Sequence, residues 1–413
     1  MGYSNIRDII AGLRSVNEDE QEAAGRELRE LRKRGLSFEE GQQLLRAAAE
    51  QYPAPHPSSR DSAQDLLYTV IAKPLPGYIP LIIELFPRFT EKVKVLALRL
   101  LAGLEDRDAA VAYMDILREH AQTGGVPELV TGSLSKKPRH PDVFFPELLE
   151  YTSNPKLALR VCSLCLDYFE AGLLDPTTLS PWLPSILGVY TERKNKLFPA
   201  QRSEGVAWMW EDKYLEPRFE TDILLDLLGY FPGPEVEAEL RLALKYRDPL
   251  LQCFAIVSRL RLGNDVEPHY LEEVAASPET RGLLYDLLAD LGKLSLYPER
   301  FRTQEALAES RMVRWLTFPT ELNRVPDEIE LMKVIPFDTG MPDGLLDYYV
   351  FRFRTHPPHW AAKDGWMAGV AGPYRRDEAP TTRSYGHTFS DFAAWDSRAP
   401  EEHVRRIREI MKS

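Results

Sequence analysis

The last part of this 413-residue chain concentrates the side chains best suited to chemistry. Four of the eight histidines and three of the seven tryptophans follow residue 355. Two imidazoles separated by two residues, in His356-Pro357-Pro358-His359, are residue types that bind zinc. The two prolines exclude helical geometry between them, so zinc would need Asp364 or His387 to converge from other segments. We therefore predict no metal and no other cofactor, and keep His356, His359, Asp364 and His387 only as hypothetical ligands or acid-base groups of an enzyme.

Aromatic and basic residues of the same region suggest a different use. Glycines at positions 365, 369 and 372 permit close backbone approach, which a binding pocket needs. One interpretation is therefore a ligand or peptide pocket, whose candidate residues are Trp360, Trp366, Tyr374, Arg375, Arg376 and His387. The simpler interpretation is a packed aromatic cap with hydrogen-bonded histidines.

Two short motifs earlier in the chain have one functional and one structural interpretation each. In Trp208-Met209-Trp210, two tryptophans at alternating helix positions cannot both face one core, so we expect one to be exposed and available for binding. Cys162-Ser163-Leu164-Cys165 has the spacing of a redox or zinc motif, but it lies in an apolar run. We expect two buried, unreactive thiols there. Phosphate-binding glycine loops and the Gly-x-Ser-x-Gly elbow are absent from the sequence, so no catalytic residue is predicted, and an enzyme is the less favoured interpretation.

The helices that must position these side chains are predicted to start at nearly constant intervals along the chain. Candidate helix caps recur every 29 to 33 positions before an apolar run: Asp61, Thr90, Thr123, Asn154, Ser185, Glu216, Asp248 and Ser277, of which all but Glu216 are common capping residues. A proline follows the cap at four of these positions, where it fits the first turn of a helix. A fixed period of this size indicates stacked helix pairs, each of which buries its apolar face against its neighbours.

This pattern resembles the short repeats of HEAT-like, armadillo-type proteins, on the period, the Asp-Pro or Asn-Pro helix starts and the apolar runs. The resemblance implies a mainly α fold, an α-solenoid of helix pairs over residues 60–316. Residues 1–52 are predicted to form an N-terminal helical entry.

Residues 317–413 are predicted to form a small α/β module that caps the array. Three segments show strand composition and partial alternation: residues 328–335, 346–354 and 366–372. They predict a three-stranded antiparallel sheet. Helices are predicted to start at Thr388 and around Pro400.

Charge narrows the class of partner. The chain carries a formal net charge of −12, and the excess of carboxylates lies before residue 340. Such a charge repels nucleic acid and suits a basic or amphipathic protein. No apolar run is long enough to cross a membrane, and three cysteines suit a reducing compartment, so we expect a cytoplasmic protein.

Three functions from different classes follow. The favoured one is a non-catalytic scaffold or adaptor, such as an assembly factor or a toxin-neutralising protein, which binds another protein on an acidic concave surface. The first alternative is an enzyme or ligand-binding protein with its site in the C-terminal module. The second is a nucleic-acid binder or DNA glycosylase of the HEAT-like kind, which needs a basic groove that the charge disfavours. The oligomeric state is left open.

Overall fold

The computed structural model describes residues 5–53, 61–122, 129, 131–201, 207–338, 345–359, 365–376, 378–384, 389–394 and 398–412. Helices dominate these ranges and an antiparallel sheet lies near the C-terminus, which confirms the predicted fold class at this level. The chain clusters into two compact units, residues 1–186 and 187–413. The solenoid and the boundaries near residues 52 and 316 stay predictions. No described helix is both long and apolar enough to cross a membrane.

Helices of the first unit form two layers. They are α1 (Ile6–Leu13), α2 (Glu18–Arg34), α3 (Phe38–Ala48), α4 (Ser62–Ile71), α5 (Ile79–Leu85), α6 (Glu91–Gly103), α7 (Arg107–Gln122), α8 (Thr131–Lys136), α9 (Pro141–Phe144), α10 (Ala158–Glu170), α11 (Pro176–Leu179) and the start of α12 (Leu183–Gln201). From α1 to α10, each helix contacts the helix two places further along the chain. The even-numbered helices therefore make one layer and the odd-numbered helices the other.

Helices α3 and α4 start at residues whose side chains cap them. Ser37 and Glu40 form a capping box at α3, and the carboxylate of Asp61 accepts from two amides of α4. Asn154 does not start a helix as predicted. It follows a 3-10 helix over Glu147–Ser153 and accepts from the amide of Lys156, so α10 begins four residues later. Short-range turn chemistry competes with capping at this asparagine.

Second-unit helices repeat the layered pattern. They are α13 (Asp212–Leu228), α14 (Pro234–Ala243), α15 (Pro249–Arg261), α16 (Pro268–Ala276), α17 (Pro278–Asp290) and α18 (Gln304–Leu316). The helices α13, α15, α17 and α18 contact one another in that order, while α14 and α16 pack against α15. Two predicted starts were wrong, because Ser185 lies inside α12 and Glu216 inside α13. The helix α13 keeps Pro217 in its interior, so packing outweighs the lost backbone hydrogen bond.

The C-terminal module is a four-stranded antiparallel sheet in the order β1-β2-β3-β4. Its strands are β1 (Glu328–Asp338), β2 (Leu345–Arg354), β3 (Met367–Arg375) and β4 (Phe389–Ala394). The three predicted strands are present. The helix predicted at Thr388 was wrong: residues from Phe389 pair with β3 and add a fourth strand. The helix predicted near Pro400 is present as α19 (Pro400–Lys412).

Both faces of the sheet are covered. On one face, Phe351, Phe353 and Tyr374 pack against Met312 and Leu316 of α18. On the other face, Val350 and Val370 pack against Val404 of α19. Because both faces are covered, most residues of β2 and β3 are buried.

Candidate functional site

Among the described residues of the predicted aromatic pocket, Trp366 and Tyr374 do not lie together. Tyr374 belongs to the apolar cluster on the α18 face of the sheet, whereas Trp366 packs with the cluster on the α19 face. A bulge in β3 explains the separation. Asp347 pairs with Tyr374 but Tyr349 pairs with Ala371, so β3 has one extra residue at this point. The extra residue reverses the alternation of side chains beyond it.

Trp366 lies among paired charges. The guanidinium groups of Arg352 and Arg354 lie 4.3 and 4.5 Å from its ring centroid. Each arginine also pairs with a carboxylate of β1, Glu330 and Glu328 respectively. These cations are already engaged by the sheet itself, which is typical of a structural cation-π stack.

The two arginines of the predicted pocket, Arg375 and Arg376, also have partners within the module. Arg375 donates to Glu378 at 2.7 Å, and Arg376 makes a bidentate pair with Asp347. The Asp347 carboxylate raises the pKa of Arg376 through this hydrogen bond. Both arginines therefore serve contacts inside the fold.

The histidines that the structure describes in this module do not form a metal centre with other described residues. His356 is exposed, and its Nε2 lies 3.1 Å from Oε1 of Glu328. His359 is partly exposed. Trp360, Asp364 and His387 lie outside the described residues. Among the described residues, no three His, Cys, Asp or Glu side chains converge as metal ligands.

The two cysteines of the Cys-x-x-Cys motif are buried in α10, as expected. Burial raises the pKa of Cys162 to about 12 and raises the pKa of Cys165 as well. Both thiols are therefore protonated and poor nucleophiles at neutral pH.

The tryptophan pair before α13 has a buried and a partly exposed member. It lies in a 3-10 helix over Ala207–Trp210 rather than in an α-helix. Trp208 is buried and packs edge-on against Tyr214, whereas Trp210 is partly exposed. The ring of Trp210 lies 5.0 Å from the guanidinium carbon of Arg218. Trp210 therefore borders the densest group of buried charges in the second unit.

A fully buried arginine links three helices of the second unit. Arg218 of α13 has no exposed side-chain surface and makes a bidentate pair with Asp248, at 2.7 and 3.0 Å. Its Nη2 also donates to Glu279 of α17 at 2.9 Å, and the hydroxyl of Tyr214 donates to Asp248. Asp248 in turn caps α15 by accepting from the amide of Leu250. Burial works against the charged form of Arg218, but the two carboxylates outweigh it and raise its pKa.

One turn after Arg218, Asp222 has an unusual environment. The residue is partly exposed as a whole, but its carboxyl group is buried. This burial raises the pKa of Asp222 to about 8, although Arg218 opposes the shift. The carboxylates of Asp248 and Asp226 add to it. Asp222 is thus protonated in most molecules at neutral pH, and a nearby cation would favour its charged form.

Partly exposed apolar and acidic side chains surround this cluster on three neighbouring helices. On α13 and α17 they recur every three or four residues, which places them on one side of each helix. On α15, which lies between these helices, Phe254 is the partly exposed residue of an otherwise buried stretch, residues 250–260. We call the following set the acidic-aromatic face: Glu216, Phe219, Asp222, Ile223, Phe254, Glu279, Leu283 and Asp286.

Phe219 is the most exposed apolar residue of the acidic-aromatic face. It is 51 % exposed, which is unusual for phenylalanine in a packed helix layer. The acidic residues Glu216 and Asp222 lie one turn before and one turn after it. The face thus combines apolar contact area with acidic groups at its border.

Sequence reasoning identified Asp248 as a cap and named Trp208 and Trp210 as candidate binding residues, but it missed Arg218 and Asp222. Two charged residues four positions apart, within a helix whose other buried residues are mostly apolar, were the available signal. No protein-family model, no curated protein and no solved structure matches this chain.

Proposed function

We propose that this protein is a non-catalytic binding protein that holds a basic, apolar-bearing segment of another protein on the acidic-aromatic face. The observation that carries the proposal is the exposed Phe219, which stands between the acidic residues Glu216 and Asp222 on α13, a helix that packs beside α15. An adaptor or scaffold, an assembly factor or a toxin-neutralising protein would use such a face. We also propose that the helices belong to the HEAT-like class, in which layered pairs offer extended binding surfaces.

Physical chemistry favours this kind of partner. Leucine-like side chains of the partner would cover Phe219, Phe254 and Leu283 and remove apolar surface from water. Lysine or arginine side chains would meet Glu216 and favour the ionised form of Asp222. The net charge of −12 would speed the approach of a cationic segment at low salt.

A cytoplasmic location is part of the proposal. The thiols of Cys162, Cys165 and Cys253 are free and buried. Unpaired cysteines are usual in a reducing compartment.

The test uses a synthetic amphipathic peptide of leucine and lysine, with a leucine and glutamate peptide of equal length as the charge-reversed control. We expect the wild-type protein to bind only the basic peptide, as measured by calorimetry or fluorescence anisotropy. The affinity should fall by about tenfold or more between roughly 0.05 and 0.5 M NaCl, because salt screens exposed charges.

Matched variants locate the binding surface. Phe219→Ala and Glu216→Lys should each weaken binding by about fivefold or more, since they remove apolar area and reverse a charge. The controls are Leu242→Ala on α14 and Glu273→Lys on α16, which change exposed residues of the same types outside the face. Equal effects of the test and control variants, or equal binding of both peptides, would contradict the proposal.

A further inference from the structure

A segment between β3 and β4 crosses the helices α17 and α18. The hydroxyl of Tyr285 donates to the carbonyl of Pro380 at 2.7 Å. The amide of Gln304 makes a reciprocal pair with Thr381: Nε2 donates to the backbone carbonyl at 2.8 Å, and the backbone N–H donates to Oε1 at 2.9 Å. All three bonds are made by backbone atoms of the segment, so they do not depend on which side chains it carries. Backbone hydrogen bonds hold a peptide in the same way when it adds a strand to a sheet edge.

One side chain of the segment enters the helix layer. Thr382 is buried, and its hydroxyl donates to both carboxylate oxygens of Asp286 at 2.6 and 2.8 Å. Gly282 makes room for it, since a Cβ at that position would lie 3.1 Å from Cγ2 of Thr382 and 2.9 Å from the hydroxyl of Ser310. The groove between α17 and α18 thus fits a small hydroxyl-bearing residue.

The next residue brings positive charge to the same place. Arg383 is exposed, and its charge lowers the pKa of Asp286 against the larger effect of burial, which raises it. Arg314 of α18 acts in the same direction as Arg383, whereas Asp290 of α17 opposes them. The segment therefore places a hydroxyl donor and a cation on one of the carboxylates of the acidic-aromatic face.

We propose that residues 380–383, which we call the strap, occupy the α17 end of the acidic-aromatic face in competition with the basic partner segment. This inference rests on the proposed function, and adds that the chain regulates its own binding face. The strap has the chemistry expected of the partner, a main-chain segment with a basic side chain. Thr382 is the one buried residue of the strap. The strap is therefore held mostly by hydrogen bonds, which a competing segment can replace.

The test loosens the strap and measures two separate quantities. The double variant Gln304→Ala with Thr382→Val removes the reciprocal main-chain pair and the hydroxyl donor. A second variant replaces residues 380–383 by glycine and serine and leaves every helix residue unchanged. Glu305→Gln, an exposed neighbour of Gln304 on α18, is the control. Hydrogen exchange of residues 378–384 reports release of the strap, and titration with the leucine and lysine peptide reports binding.

We expect exchange in the strap to rise by about tenfold or more and the affinity for the basic peptide to rise by about threefold or more in both variants. The control should match the wild-type protein in both measurements. Release of the strap without a gain in affinity would overturn the inference and leave the proposed function standing. Unchanged exchange in the double variant would also overturn it. If the wild-type protein and both variants fail to bind the peptide, the proposed function itself is wrong.

Discussion

At the scale of single residues, we expect the loss of the Arg218 side chain to lower the stability of the fold strongly. It neutralises Asp248 and contacts Glu279, and all three groups lie in or near the core. Removing one partner of a buried ion pair leaves uncompensated charge, which is far more costly than losing an exposed pair.

We therefore expect Arg218→Met to lower the free energy of unfolding by about 3–5 kcal/mol. Lys213→Met, which breaks the exposed pair with Glu211, should cost less than about 1 kcal/mol. Urea unfolding followed by tryptophan fluorescence measures both. Adding Asp248→Asn and Glu279→Gln to Arg218→Met should recover part of the loss, because the unpaired carboxylates cause it. A loss no larger than that of the Lys213 variant would refute this account of the cluster.

Asp222 should make stability depend on pH in an unusual direction. Its pKa is about 8 in the folded protein, against a normal value of 3.8. Between these two values the folded protein keeps a proton that the unfolded chain has released, so the contribution of this group to stability falls as pH rises.

Asp222→Asn removes the ionisable group and should stabilise the protein at pH 8 by about 2 kcal/mol or more, with a smaller difference near pH 4. Thermal unfolding across this pH range measures the effect. Glu216→Gln, which changes an exposed carboxyl earlier on the same helix, serves as the control for the substitution. A pH-independent effect of Asp222→Asn would show that burial does not hold a proton there.

At the scale of elements, the packing of α3 depends on one glycine. A Cβ at Gly41 would overlap the hydroxyl and ring of Tyr78. Tyr78 is fully buried, and its ring stacks on Phe38 at 5.3 Å, so it has little freedom to move aside. Close approach between α3 and the chain before α5 therefore requires glycine.

Gly41→Ala should lower the free energy of unfolding by about 1–3 kcal/mol, because overpacking outweighs the better helix propensity of alanine. Gly25→Ala in α2 is a matched control, since the nearest atom to its added Cβ is 3.9 Å away. It should stabilise by up to about 1 kcal/mol. Combining Gly41→Ala with Tyr78→Phe should restore part of the loss in calorimetric melting. If both glycine variants stabilise the protein, the close packing at Gly41 is not a constraint.

Elements also show what sequence patterns can and cannot predict. Asp248 was readable as a cap because a proline follows it and the bond to Leu250 is local. Its pairing with Arg218, thirty residues earlier, is a tertiary contact that no local pattern contains. Trp366 and Tyr374 have an even spacing, which predicts one face of a strand, and the bulge between them reverses that result.

At the scale of the whole molecule, the helical class and the C-terminal sheet followed from period and composition, because both depend on many residues at once. The acidic-aromatic face could not be predicted in this way, because it consists of single positions that stay exposed while their neighbours are buried. Phe219 and Phe254 look like core residues in sequence, and only the packing of α13, α15 and α17 distinguishes them. The helix predicted at Thr388 failed for a similar reason, since pairing with β3 decides the structure of the residues that follow.

The position of the strap late in the chain means that it is synthesised after the helices that it contacts. Tyr285, Asp286 and Gln304 bond residues 95, 96 and 77 positions later in the chain. A ribosome releases the chain from its N-terminal end, so α17 and α18 emerge before the strap does. If the strap competes with a partner as proposed, the nascent protein would expose the α17 end of its acidic-aromatic face without competition during that interval. A partner present at the site of synthesis would therefore meet the most receptive form of the molecule before the chain is finished.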